Sequence, residues 1–362
     1  MKAHAHFPNL DGLRFVAALA VVVGHIAQIS SIFGLPSLWH FRPVMLLGDT
    51  AVSVFFVLSG FLITYLLLEE SERTGTIDFF GFYRRRALRI LPVYVAVCVL
   101  SFFIIPYFSL MDVPGYAPPW TAAFWKSAAL YAVLSPHVAA PIYPGVPYAG
   151  VLWSVGVEEW FYFLCPAILF LAGKRSAVIA VAVILLLIPC RLAPGWLSYF
   201  FSMLRFDCLA VGGLFAMLLI YAPGSERLSS LQKLLYMPQT QIVALCATPL
   251  TLFLMDHATQ AIIFGVVIFN LATNPNSILR LNHPAIERLG ALSYAMYGYN
   301  WMTTVISVQI AISIFGKGLA GSIATFFIGI TLIFVAAAIS YFAMERPFLR
   351  MKGKRSEVAA IA

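Results

Sequence analysis

Arg14 and His25 are the first residues of this chain with types and spacing suited to chemistry. Eleven positions apart on a helix is three turns plus about 20°, so they share one face roughly 17 Å apart. An imidazole can serve as base, nucleophile or proton carrier, and an arginine fork suits phosphate. The bland alternatives are a histidine bonded to a neighbouring carbonyl and an interfacial arginine anchor. Asp11 lies three positions before Arg14. A second group is the adjacent pair Glu158 and Glu159 in LWSVGVEEWFYFLCP. A carboxylate beside an imidazole fixes its tautomer and raises its basicity. Adjacent glutamates point about 100° apart, so only one can face His25, and Glu158 is taken as that partner. Otherwise the pair sits in the external headgroup region beside Trp153, Trp160 and Tyr162. Third, Arg84, Arg85, Arg86 and Arg89 crowd FYRRRALRILP over 82–92, read as an internal loop just before a helix. Phosphate or anionic lipid head groups would suit such a cluster. Finally, Asp49, Arg205 and Asp207 fall in or near outer halves of apolar runs, to line a cavity or to pair with one another.

Those runs define what must position the residues. Of 362 residues 61% are hydrophobic and 10% charged, too few charges for the surface of a soluble globule of this size. Ten runs span roughly 13–32, 44–68, 90–108, 151–171, 176–190, 197–221, 239–256, 258–273, 290–312 and 319–342. About 20 apolar residues cross a bilayer, whose interior forces the backbone to pair with itself, so helices are expected. The fifth and eighth runs are short enough to be re-entrant. With the N-terminus inside, only Arg42, Lys126, Arg191, Arg205 and Lys317 of 23 basic residues fall outside, the asymmetry that orients membrane proteins. The sequence therefore predicts an all-α polytopic membrane protein with about ten transmembrane helices and both termini cytoplasmic. The net charge of +8 is then mostly a topology signal, and nucleic acid is not needed to explain it. On this map Glu158 lies about 9 Å and His25 about 14 Å below the outer face, close enough to pair.

No small-residue cleavage site follows the first run, which is expected to be retained. Cys98, Cys165, Cys190, Cys208 and Cys246 show no paired spacing, so neither a disulfide framework nor a metal site is indicated. Nucleotide-binding glycine patterns are absent, and no appended soluble domain is read. An external loop over about 109–150 carries Pro118, Pro119, Trp120, Pro141, Pro144 and Pro147. It either shapes an external cavity or is a semi-rigid connector.

Several ordered motifs resemble the acyltransferase-3 family of bacterial integral-membrane O-acyltransferases. NLDGLRFVAALAVVVGHI carries the family's arginine, ten residues, then histidine, at Arg14 and His25. SVFFVLSGFLIT (53–64), FYRRRALRILPVY (82–94), WSVGVEEWFYFLCP (153–166, with Trp153 and Ser154), LSYAMYGYN (292–300, with Tyr297) and ERPF (345–348) follow in order. The element at 292–300 usually ends in histidine and here ends in Asn300, to which no catalytic role is assigned.

The resemblance implies a transmembrane acyltransferase domain over 1–348 with ten core helices, followed by a basic cytoplasmic tail over 349–362. It implies an acyl-CoA donor, most simply acetyl-CoA, on the cytoplasmic side of a bacterial inner membrane. No tightly bound cofactor is implied. The acceptor would be a hydroxyl of a cell-surface or lipid-linked carbohydrate. His25 would act as base or transient acyl carrier, with Glu158 orienting it. Arg14, with Arg85 and Arg86, and the wider cluster including Arg84 and Arg89, would hold the donor phosphates. Asp11, Asp49, Trp153, Ser154, Glu159, Arg205, Asp207, Tyr297 and Asn300 are the remaining cavity candidates. A transporter or flippase with a His–Glu proton relay, and a structural membrane protein, are the rival readings. The acceptor's identity and the oligomeric state lie beyond the sequence.

Overall fold

We describe the molecule from a computed structural model. It describes residues 7–116, 120–143, 146–191, 194–253 and 256–351. The basic tail beyond 351, and Pro118, Pro119 and Pro144 of the loop, lie outside the described residues. Sixteen α-helices follow one another, with no strand among the described residues: α1 (Pro8–Ile32), α2 (Arg42–Thr74), α3 (Phe79–Val99), α4 (Ala122–Ala132), α5 (Pro136–Ile142), α6 (Trp153–Ala172), α7 (Ser176–Cys190), α8 (Trp196–Leu204), α9 (Phe206–Tyr221), α10 (Glu226–Tyr236), α11 (Pro238–Ala247), α12 (His257–Thr273), α13 (Pro284–Gly290), α14 (Ser293–Phe315), α15 (Leu319–Ser340) and α16 (Arg346–Arg350). Six helical stretches are long and apolar enough to cross a membrane. The protein is thus an all-helical bundle with several membrane-spanning elements.

Burial separates the central helices from the peripheral ones. In α2, 78% of the apolar window is buried within the protein, against 22% in the stretch containing α15. Apolar residues need no protein cover when lipid supplies it, so α15 reads as a lipid-facing helix and α2 as the axis. Around α2 pack α1, α9, α12 and α6. The approach of α9 rests on small residues: a Cβ on Gly60 would collide with the Leu209 carbonyl, and one on Gly212 with the Val57 carbonyl. Close backbone approach through glycine is a common way to pack helices in lipid. The other central helix, α14, buries Tyr297, Asn300, Thr303, Thr304 and Ser307. Its polarity keeps it out of the six apolar stretches, although its 23 residues suffice for a crossing.

Three sequence expectations need correction. The arginine cluster does not lie in a loop before a helix. Asp78 caps α3 by accepting from the Gly81 N–H, and all four arginines fall inside that helix. The sixth run, 197–221, is not continuous, because Arg205 adopts a left-handed φ of 32° and splits it into α8 and α9. Among the described residues of the seventh, 239–256, the helix is α11, followed by a 3-10 turn, Pro249–Phe253. A proline cannot donate the next helical hydrogen bond, so the break falls there.

The loop over 109–150 is more than a connector. It folds into α4, α5 and short 3-10 turns, tied down by tyrosines. Tyr94 donates to the Tyr131 carbonyl, Tyr131 to that of Ala149, and Tyr148 to that of Met111.

Candidate active site

Two cavities lie along α1, one around each of the residues that first stood out. The first, about 360 Å³, contains His25 with Gln28, Asp49, Trp39, Trp153, Tyr199 and Trp301 on its walls. Tyr116, Tyr131, Tyr143 and Pro147 of the folded loop roof it. We call it the histidine chamber. The second, about 90 Å³, contains Arg14, Arg86 and Arg89 with Ser59, Glu158, Tyr162, Ser154 and Tyr294. We call it the arginine chamber. Tyr297 lines both.

His25 is held by Asn300, not by a glutamate. Its Nδ1 lies 2.6 Å from Asn300 Oδ1. The Asn300 amide is itself oriented, since Nδ2 donates to the Tyr297 carbonyl one turn back. Its oxygen therefore faces the imidazole, which must carry its proton on Nδ1. Nε2 is left with a lone pair and no hydrogen-bond partner among the described residues, the state a base or nucleophile needs. The indole of Trp301 meets the imidazole edge-on at 5.9 Å. Asn300, set aside on sequence for being unable to take a proton, thus does the orienting work expected of a carboxylate, without its charge.

Glu158 is in the other chamber. Its two oxygens accept from Ser59 and Tyr162, each at 2.9 Å. The expected Glu158–His25 pair is therefore absent, for an azimuthal reason. On α6, Trp153 turns to the histidine chamber, whereas Ser154 and Glu158, one turn apart, turn to the arginine chamber. Glu159 points elsewhere, with a buried Oε1 that lacks a hydrogen-bond partner.

The arginine cluster divides in the same way. Arg86 and Arg89 line the chamber, and Arg86 lies over the Tyr162 ring at 5.6 Å. Arg84, two residues and so about 200° from Arg86, points away and donates to the Met351 carbonyl. Arg85 reaches Glu70 at 3.8 Å. Neither lines the chamber. Arg14 completes its wall while pairing with Asp11 at 2.6 Å. Three arginines and one glutamate line this chamber, with Asp11 held against Arg14, a charged wall suited to an anionic or strongly polarised group.

Asp49 joins the histidine chamber to a buried ionic cluster. Arg205 bonds the Asp49 carboxylate, the Asp49 carbonyl at 3.0 Å and Ser53 at 2.9 Å, and stacks over Trp153 at 5.4 Å. The other Asp49 oxygen is 3.9 Å from His257. Behind them, Asp207 pairs with Arg191 at 2.7 Å. Of the three candidates flagged here, only Asp49 reaches the cavity, and Arg205 and Asp207 pair structurally. Sequence reasoning missed Ser59, Tyr162 and His257. The first two lie inside quoted motifs, and spacing alone gave no sign of His257.

Comparisons with known proteins place the chain among acyltransferases. Residues 7–343 match the family model described as "Acyltransferase domain", and the chain belongs to this acyltransferase-3 family. It is 31% identical over 171 residues to the O-acetyltransferase OatA of Staphylococcus aureus, covering 47% of this chain and 26% of the relative. To the putative peptidoglycan O-acetyltransferase YrhL of Bacillus subtilis it is 26% identical over 394 residues, covering 98% of this chain and 56% of the relative. Nodulation protein 10 of Rhizobium leguminosarum bv. viciae is 29% identical over 187 residues, 49% of each chain. The chain spans no more than about half the length of these relatives. No solved structure matches. The chain is thus an all-helical member of that family, with several helices long and apolar enough to cross a membrane.

Proposed function

We propose that the protein moves an acyl group, most simply acetyl, from acyl-CoA to a hydroxyl of a cell-surface or lipid-linked carbohydrate. The observation that carries this reading is the pair of chambers, one lined by three arginines and one holding an imidazole whose Nδ1 is fixed by Asn300. The cationic chamber takes the donor's thioester end. At about 90 Å³ it has room for an acyl group but not for a nucleotide. The nucleotide phosphates then sit at its mouth, near α3. The aromatic histidine chamber takes the acceptor, as tryptophan and tyrosine faces with a carboxylate at Asp49 suit a sugar ring.

The chemistry follows. Nε2 of His25 removes the acceptor hydroxyl proton as the oxygen attacks the thioester carbonyl. The C–S bond breaks as the C–O ester bond forms, and the imidazolium returns the proton to the departing thiolate. Asn300 holds the tautomer throughout. Base assistance supplies about 10²–10⁴-fold, and positioning the remainder.

In this reading the chain crosses the bacterial inner membrane about ten times over residues 1–348, with both termini and the arginine chamber on the cytoplasmic side and the histidine chamber outside. The basic tail stays in the cytoplasm. The 18-to-5 split of the 23 basic residues supports this orientation. The deciding experiment incubates purified protein with acetyl-CoA and candidate glycans. Glycan-dependent thiol release with an acetyl ester on the glycan is expected. Solute flux without thioester consumption would replace this reading with a transporter.

A further inference from the structure

Tyr297 is the one side chain shared by the linings of the two chambers. Its hydroxyl lies 2.9 Å from the Val151 carbonyl and 2.7 Å from Ser154 Oγ, at the turn that opens α6. Val151 and Trp153 of that turn line the histidine chamber, and Ser154 lines the arginine chamber. The Tyr297 ring meets Phe55, on the arginine side, edge-on at 6.1 Å. Its carbonyl accepts from the Asn300 amide that orients His25. One phenol thus fills the line between the cationic cavity and the imidazole.

We propose that Tyr297 decides transfer against hydrolysis, as a movable wall between the chambers. This rests on the proposed function. A thioester in the arginine chamber is exposed to whatever enters from the histidine side, and water is a competing acceptor for the same base. A ring held by two hydrogen bonds excludes water. Neutral hydrogen bonds of this kind are individually weak, so an acceptor occupying the histidine chamber can displace the hydroxyl and shift the ring. Access to the thioester is thereby tied to the presence of an acceptor. A residue that merely pins α14 to α6 would hold the same two bonds, and the test must separate the roles.

Val155 lines the arginine chamber. Val155→Cys is placed in a background lacking the native cysteines, in sealed vesicles with the histidine chamber outward. A membrane-impermeant maleimide is added outside. With Tyr297 present labelling is slow. Tyr297→Phe keeps the ring but loses both bonds and labels faster, and Tyr297→Ala labels at least tenfold faster than the parent. In the same order, without the added cysteine, acetyl-CoA hydrolysis rises relative to glycan transfer. Equal labelling and an equal hydrolysis-to-transfer ratio in folded, monodisperse variants would overturn the proposal. If the alanine variant does not fold, the phenylalanine variant decides alone: parent-like labelling and ratio overturn it. Labelling needs no donor, so it judges the wall even if the parent protein consumes no acetyl-CoA, a result that would sink the transferase reading instead.

Discussion

The two chambers along α1 solve opposite electrostatic problems. The arginine chamber gathers cations from α1 and α3 and sets against them one glutamate, tied by the hydroxyls of Ser59 and Tyr162. The histidine chamber orients its imidazole with an amide and walls it with rings. Charges in an apolar setting persist only with partners, so the cationic side is small and closely bonded. The polar but mostly uncharged side is four times larger, about 360 against 90 Å³. On the proposed function, a carbohydrate acceptor in the larger cavity would meet mostly aromatic surface, with charge confined elsewhere. The ionic cluster of Arg205, Asp49, Asp207 and Arg191 borders the large chamber but presents only Asp49 to it.

The largest effect should come from the histidine side. His25→Ala is expected to reduce transfer by about 10²–10⁴-fold, the worth of a general base, with expression and membrane insertion unchanged. Acetyl-CoA affinity, measured by calorimetry, should hold, because the donor chamber is elsewhere. Parent-like transfer by this variant would remove the histidine chamber from the chemistry.

Next in size is the donor side. Charge-assisted hydrogen bonds contribute about 1.5–3 kcal/mol each, so Arg86→Gln with Arg89→Gln should weaken acyl-CoA binding by at least about tenfold while acceptor KM stays put. Arg84→Gln with Arg85→Gln, outside the chamber, should change it by less than about threefold, a loss within the range of exposed pairs. If the outward pair matters as much as the inward pair, phosphate recognition at the chamber mouth outweighs the chamber itself.

That division of the cluster marks where sequence reading stops. Apolar runs were legible because lipid rewards continuous hydropathy directly, and 176–190 coincides with α7. Helix interruptions were not: Arg205 leaves helical geometry at a position where its guanidinium reaches Asp49 and Ser53 across the bundle, a contact 152 residues away in the case of Ser53. The shared face of Arg14 and His25 followed from 3.6-residue periodicity. The partner of His25 did not, since depth arithmetic fixes height along a helix and leaves rotation about its axis open. Glu158 faced the other chamber. Asn300 was visible only as a departure from a family pattern, and its meaning came from the direction of its amide. The loop over 109–150 was half legible: its prolines and aromatics suggested a cavity cover or a connector, and Tyr116, Tyr131, Tyr143 and Pro147 on the wall of the histidine chamber favour the cover.

Asn300→Ala should cost less than His25→Ala. A neutral hydrogen bond contributes about 0.5–1.5 kcal/mol, which converts to a two- to tenfold fall in turnover as the imidazole samples both tautomers. The effect belongs in kcat, with acyl-CoA KM unchanged.

Smallest, and most telling about the boundary between chambers, is Glu158→Gln. Had Glu158 paired with His25, its loss and that of Asn300 would strike the same imidazole and fail to add. In the structure it bonds Ser59 and Tyr162 on the far side of Tyr297. Removing its charge makes the arginine chamber more cationic, so acyl-CoA KM should fall about twofold while turnover drops about threefold from the weakened hydroxyl contacts. Independent sites add to within about 0.5 kcal/mol, and coupled ones depart by about 0.5–3 kcal/mol. The cycle of Asn300→Ala, Glu158→Gln and the double variant, read as transfer kcat, should therefore close to within about twofold, which is that 0.5 kcal/mol. A larger coupling would mean that the carboxylate acts on the imidazole through Tyr297 and Ser154, and that the two chambers work as one site.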